Sequence, residues 1–241
     1  MKLLQSITVI AILLSTSLSH AQWGKWKKIK GSGNITTETF STSSYDGVKT
    51  AGSMDFNLVP GKEGNITVKG DENLMEYIVV EVKNNTLSVR VKDGYNLKPS
   101  KTIIVTIPYK SINSVSLAGS GDVKNSGTIK ADKFKVSLAG SGDIELNIDS
   151  EETESNIAGS GDIKLEGSTT ELTVKVAGSG DFEGDDLDST NVTAKVTGSG
   201  SADVVCNGEL VVRITGSGDV NYSGKPTNKD TKITGSGSVS N

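Results

Sequence analysis

A short pattern, Gly-Ser-Gly followed by Asp or Ser, returns seven times in the second half of this chain. It begins at Gly119, Gly140, Gly159, Gly178, Gly198, Gly216 and Gly235, at intervals of 21, 19, 19, 20, 18 and 19 residues. Five copies continue with Asp (Asp122, Asp143, Asp162, Asp181, Asp219) and two with Ser (Ser201, Ser238). A fixed period near twenty residues marks a stacked-repeat architecture, in which each copy buries its apolar side only against its neighbours.

The flanks of the pattern alternate with period two. Val115 and Leu117, Val136 and Leu138, Val174 and Val176, and Val212 and Ile214 lead into the glycines, with polar residues between them. Ile144 and Leu146, Ile163 and Leu165, and Ala202 and Val204 lead away. Such alternation is that of a strand with one buried face. Two strands thus meet at a Gly-rich corner in every repeat. A meander would send successive strands in opposite directions. A solenoid keeps one phase, so like residues stack on like residues at strand spacing. The constant phase over seven copies favours the all-β solenoid. Ala118, Ala139, Ala158 and Ala177, continued by Thr197, Thr215 and Thr234, are expected to fill the inside of the bend. Ser120, Ser141, Ser160 and Ser179 are expected to chain their hydroxyls.

Composition removes several functions. A net charge of −4 from 25 basic and 29 acidic residues speaks against nucleic acid, which attracts clustered cations. Residues 1–21 read as a cleaved secretory signal: Lys2, an apolar run over Leu3–Leu14, then Ser19-His20-Ala21. No later segment is apolar enough to cross a membrane as a helix. His20 is the single histidine and lies within that leader. The exported chain therefore has no Ser-His or Cys-His nucleophilic triad and no His-ligated zinc. Cys206 is the single cysteine, which rules out an internal disulfide. It is expected to pack as a small apolar residue.

Residues 22–39 read as a basic and polar leader to the folded part. Trp23 to Lys30 carries both tryptophans and four of the first lysines, and is either a disordered lead-in or a tether to an anionic surface or glycan. Residues 40–241 read as one domain, with an irregular β part at 40–117 and the seven repeats at 118–241. Within the irregular part, Met54–Val59, Ile66–Lys69 and Lys101–Ile107 read as strands. Asp71-Glu72-Asn73 reads as the cap of one helical turn, and Asn84-Asn85-Thr86 as the bend of a hairpin. Ala51-Gly52-Ser53-Met54-Asp55-Phe56 is a degenerate early copy of the repeat. The irregular turns are expected to cap the stack.

Tyr45-Asp46-Gly47-Val48, the Gly52–Leu58 strand, Asp71-Glu72-Asn73-Leu74, Lys98-Pro99-Ser100 and the recurring Ala-Gly-Ser-Gly-Asp, in this order, resemble the putative auto-transporter adhesin head-domain family of exported Bacteroidetes proteins. The resemblance covers about residues 40–223. It implies a right-handed parallel β-solenoid outside the cytoplasm and, through the family's label, adhesion. It carries over no catalytic residue. An auto-transporter would continue into a membrane barrel, which is not expected after the last repeat here.

Three side-chain sets call for a chemical reading. Stacking would place Asp122, Asp143, Asp162 and Asp181 on one line, where like charges repel unless something relieves them. Calcium is one relief, as it takes carboxylate oxygens; backbone N–H groups are another. The acidic groups Glu151, Glu152 and Glu154, and Asp185, Asp186 and Asp188, are where a polysaccharide-acting enzyme on this scaffold would keep its carboxylates. The bland reading is a solvated acidic bend. The third set is the end of the chain. Thr231–Asn241 shows no capping pattern, and an open strand edge invites a second copy. The sequence therefore points to a non-catalytic exported binding, adhesion-like or scaffold module, without cofactor. Its partner would be a protein or glycan of the cell surface, and a polysaccharide enzyme is the alternative.

Overall fold

The computed structural model describes residues 26–241. The expected leader at 1–21, with His20, and Trp23 lie outside them. Ser114–Gly119 pairs in parallel with Lys135–Gly140, which pairs with Glu154–Gly159, and the ladder continues to Asn228–Gly235. Gly52 joins below Gly119, so eight corners stand in one column. The chain is a parallel β-solenoid, and the Ala51–Phe56 copy is its first turn.

The corner explains the two glycines. The first of each pair, Gly119 through Gly235, has φ between +122° and +142°, which disfavours side chains. The second needs no unusual φ, yet a Cβ on Gly161 would lie 2.0 Å from the carbonyl oxygen of Gly142 one turn below. Successive corners approach this closely because the first-glycine carbonyl of each corner from Gly52 to Gly198 accepts two N–H groups from the next turn. Ser141 and Gly142 both donate to Gly119 O, at 2.9 and 3.1 Å. Position 54 is methionine rather than glycine because no corner lies beneath it, and Met54 turns into the core at 2% exposure.

Apolar ladders follow from this register. Leu117, Leu138, Ile157, Val176, Val196 and Ile214 form one column. Phe56, Val123, Ile144, Ile163, Phe182, Ala202 and Val220 form another across the corner. Ser155 interrupts the column Val136–Ser155–Val174. It is fully buried and its hydroxyl has no partner.

The alanine and threonine ladder is on the outside, contrary to the expectation from sequence. Val115 and Leu117 point in, so alternation sends Ser116 and Ala118 out. Ala118, Ala139, Ala158 and Ala177 are all exposed. The serine ladder is tied through backbone N–H groups, and its side chains face solvent.

The N-terminal end reverses the order of the turns. After the first corner the chain passes through Asn65–Asp71 and the hairpin Ile78–Lys83/Thr86–Val91. It thereby places Thr86–Val91 and Ile104–Tyr109 beneath the first turn. It then climbs past that turn to Ser114. Antiparallel strands, among them Ile35–Ser41 on Asn65–Asp71, cover this end. The hairpin bends at Asn84 and Asn85, both with positive φ. Lys27–Lys30 pairs with Tyr95–Lys98. Ordered β structure thus begins ahead of residue 40, and Lys27–Lys30 is not a disordered lead-in.

Asp71 does not cap the helical turn Glu72–Tyr77 with its side chain. It is fully buried and binds elsewhere. Its carboxylate accepts Gly33 N at 2.7 Å, Ser100 N at 2.8 Å and Ser100 Oγ at 2.6 Å. The Ser100 hydroxyl leads in holding this carboxyl below the usual range. Asn73 adds bonds to Ser32 N and Lys30 O. Together they latch residues 30–34 to the body.

The C-terminal end carries a cap that the sequence reading missed. Lys229 occupies the inward column of Val192 and Leu210, and Thr231 that of Ala194 and Val212. The Lys229 ammonium lies 5.1 Å from the Tyr222 ring centroid, and Asp230 pairs with Arg213. Lys229 and Thr231 put a charge and a hydroxyl into two columns of the last rung, which hinders pairing there, while Ile233, 42% exposed, continues the Ile214 column.

Two outcomes follow. Gly161→Ala should cost about 2–4 kcal/mol in denaturant unfolding, while Ser160→Ala changes little and Ser155→Val gains about 1–2 kcal/mol by removing an unpaired buried hydroxyl. In sedimentation velocity the wild type should run as a monomer, and Lys229→Leu with Thr231→Val should associate through the last rung.

Candidate binding surfaces

The aspartate ladder is assembled, and Asp55 extends it by one turn, since Phe56 pairs with Val123. Burial, then the charge of Asp122, raises the pKa of the Asp55 carboxyl. Above it the repulsion is relieved by the backbone. Asp143 Oδ1 accepts Asp162 N at 3.1 Å, and Asp162 Oδ1 accepts Asp181 N at 2.8 Å. Asp181 Oδ1 accepts both N and Oγ of Ser201, at 2.7 and 2.8 Å, and Asp219 Oδ1 does the same with Ser238. The two serine copies thus stand where they quench the carboxylate below. Among the described residues no group of three or more His, Cys, Asp or Glu side chains is arranged to hold a metal ion.

The acidic clusters are drawn into lateral charge pairs. Glu152 meets Lys133 at 2.8 Å. Glu154 meets Lys175 at 2.7 Å and Lys135 at 3.2 Å, and these two lysines, Lys175 first, pull its carboxyl down to about 2. Asp186 lies 3.7 Å from Lys164, and Asp188 accepts the Asn207 amide at 3.0 Å. Burial raises the pKa of Asp185. Glu151 and Asp188 come together with Asp132 and Asp149 around a shallow cleft of about 570 Å³. There Asp149 is engaged by Lys130 at 3.4 Å and by Ser168 Oγ at 3.0 Å. Cys206 is buried with its thiol pKa pushed up, which leaves it inert.

The outward alanine ladder forms the largely apolar floor of a groove of about 670 Å³. Ala118, Ala139, Ala158 and Ala177 line it across four turns, and Lys49, Ser116, Ser137, Asn156, Lys175 and Lys195 flank them. Sequence reasoning missed this surface by assigning the alanines to the inside. The strict alternation Val115-Ser116-Leu117-Ala118 was the signal that should have placed them.

Adding calcium or a chelator should leave the melting temperature unchanged, because backbone donors already engage Asp143, Asp162, Asp181 and Asp219. A rise with calcium would mean that the free Oδ2 atoms bind it.

No helix among the described residues is long and apolar enough to cross a membrane. No curated protein matches the chain. Solved structures do. A putative adhesin from Bacteroides fragilis is 24% identical, with a TM-score of 0.80 over 88% of this chain and 99% of that one. A putative adhesin and a putative lipid binding protein from Parabacteroides distasonis are 25% and 26% identical, with TM-scores of 0.72 and 0.69. Each alignment covers 89% of this chain and 99% of the other. The family model described as putative auto-transporter adhesin, head GIN domain, matches residues 44–226, and the chain belongs to that family.

Proposed function

We propose that this is an exported, non-catalytic binding module of the cell envelope, adhesion-like in action, whose outward alanine groove takes one extended glycan chain. The observation that carries the reading is the groove's constancy: one methyl floor position and one polar flank position per turn, in register across four turns. A regular polymer lying along the stack meets a similar contact at every step, so weak contacts add without an enclosing pocket. The methyl floor suits the apolar faces of sugar rings, and the Ser116 and Ser137 hydroxyls can both donate to and accept from sugar hydroxyls. Family membership and the names of the structural relatives support binding rather than catalysis. The lysines and amide that engage the acidic clusters weigh against the polysaccharide enzyme.

A glycan array should return linear polymers, with binding that grows with chain length. Ala158→Arg, which fills the groove from an exposed position, should abolish that binding at an unchanged melting temperature. Retention of binding by Ala158→Arg, or an array without any hit, would contradict the assignment.

A further inference from the structure

The N-terminal end has a side of its own, the two-stranded parallel sheet of Lys27–Lys30 and Tyr95–Lys98. Register sets Lys28 beside Asn96 and Lys30 beside Lys98. Ile29 and Leu97 pack against the core. Alternation therefore sends Lys28, Lys30, Asn96 and Lys98 outward, and all four are exposed. Along the main stack, lysines such as Lys124 and Lys133 are matched to carboxylates one turn away. Among the described residues, Lys28, Lys30 and Lys98 make no ion pair. Lys98 lies close enough to hold the Lys28 ammonium below the ordinary lysine range. Crowded cations without a counter-charge gain most from an anionic partner.

Trp26 immediately precedes this sheet and is 63% exposed. With Tyr95 and Pro99 it borders a shallow, mostly apolar cavity of about 400 Å³. A tryptophan beside a flat row of ammonium groups matches the interface of an anionic bilayer. There the ring sits at headgroup depth and the lysines meet phosphates. A sugar polymer fits this face less well, because Asn96 is its one outward side chain able to accept a hydroxyl proton. The chain as a whole is acidic, so attraction would come from this patch and would orient the molecule.

We propose that the face of Lys28, Lys30 and Lys98, anchored by Trp26, docks the protein on an anionic phospholipid surface. This assignment is independent of the glycan groove. Vesicle co-sedimentation tests it with phosphatidylcholine alone and with phosphatidylglycerol added, at low and high salt. The purified protein should bind the anionic vesicles, and salt should weaken that binding. Replacing Lys28, Lys30 and Lys98 with Gln should lower affinity about a hundredfold, at roughly fivefold per lysine. The same change at the exposed Lys62, Lys225 and Lys232 should do far less, and Trp26→Ala should weaken the binding that persists at high salt. Equal binding to both vesicle types, equal effects of the two lysine triplets, or binding to dextran sulfate without binding to vesicles would overturn it.

Discussion

Backbone contact between successive corners governs everything else in this molecule. The corner carbonyls from Gly52 to Gly198 each take two N–H groups from the next turn, and the resulting approach excludes a Cβ at both glycine positions. With the corner pinned, the strands on either side have no freedom of register. A one-residue slip would send every Val and Leu of the columns to the solvent face. The same pinning forces like side chains into line, including like charges. The sequence accommodates this by alternating partners between turns: Lys124 with Glu145, Lys133 with Glu152, and Glu154 with both Lys135 and Lys175. These exposed pairs add little stability one by one. Their main effect is to remove repulsion that an unmatched ladder would suffer.

The two ends solve the problem of finite length in different ways. At the N-terminus the chain builds downward before it builds upward, so that parallel strands lie beneath the first turn and antiparallel strands close the end. The joints of that cap are the motifs that carry the family resemblance. Tyr45 donates its hydroxyl to Pro108 O. Asp46 receives the Asn85 amide at the hairpin bend. Asp71 and Asn73 hold residues 30–34 and Ser100. At the C-terminal end the last rung instead puts Lys229 and Thr231 into otherwise apolar columns, with Ile233 exposed beside them.

Much of this was legible in the sequence, and the parts that were not share a cause. Period, corner and columns could be read because a solenoid repeats one local problem, and Gly-Ser-Gly announces it. The early copy at Gly52 was readable for the same reason. The Asp71 latch was hidden because its partners, Gly33 and Ser100, are distant in sequence and belong to no period. An aspartate ahead of a short helical turn looks like a cap until its oxygens are needed elsewhere. The C-terminal cap was hidden because Lys229 and Thr231 are unremarkable polar residues until the register shows which columns they enter. The alanine ladder was misplaced by an argument from size, when alternation with Leu117 and Leu138 already fixed its side. Its exposure is what makes a groove, so the same slip concealed the candidate site.

Distance measurement between spin labels tests the stacked column most directly. On a Cys206→Ala background, labels would be paired from Ser120 to Ser199, to Ser217 and to Ser236, all exposed corner positions. In-register stacking places these partners four, five and six turns away, at roughly 19, 24 and 29 Å for about 4.8 Å per turn. The account predicts that steady increase. Distances that alternate between short and long, as corners at opposite ends of an antiparallel sheet would give, would contradict it.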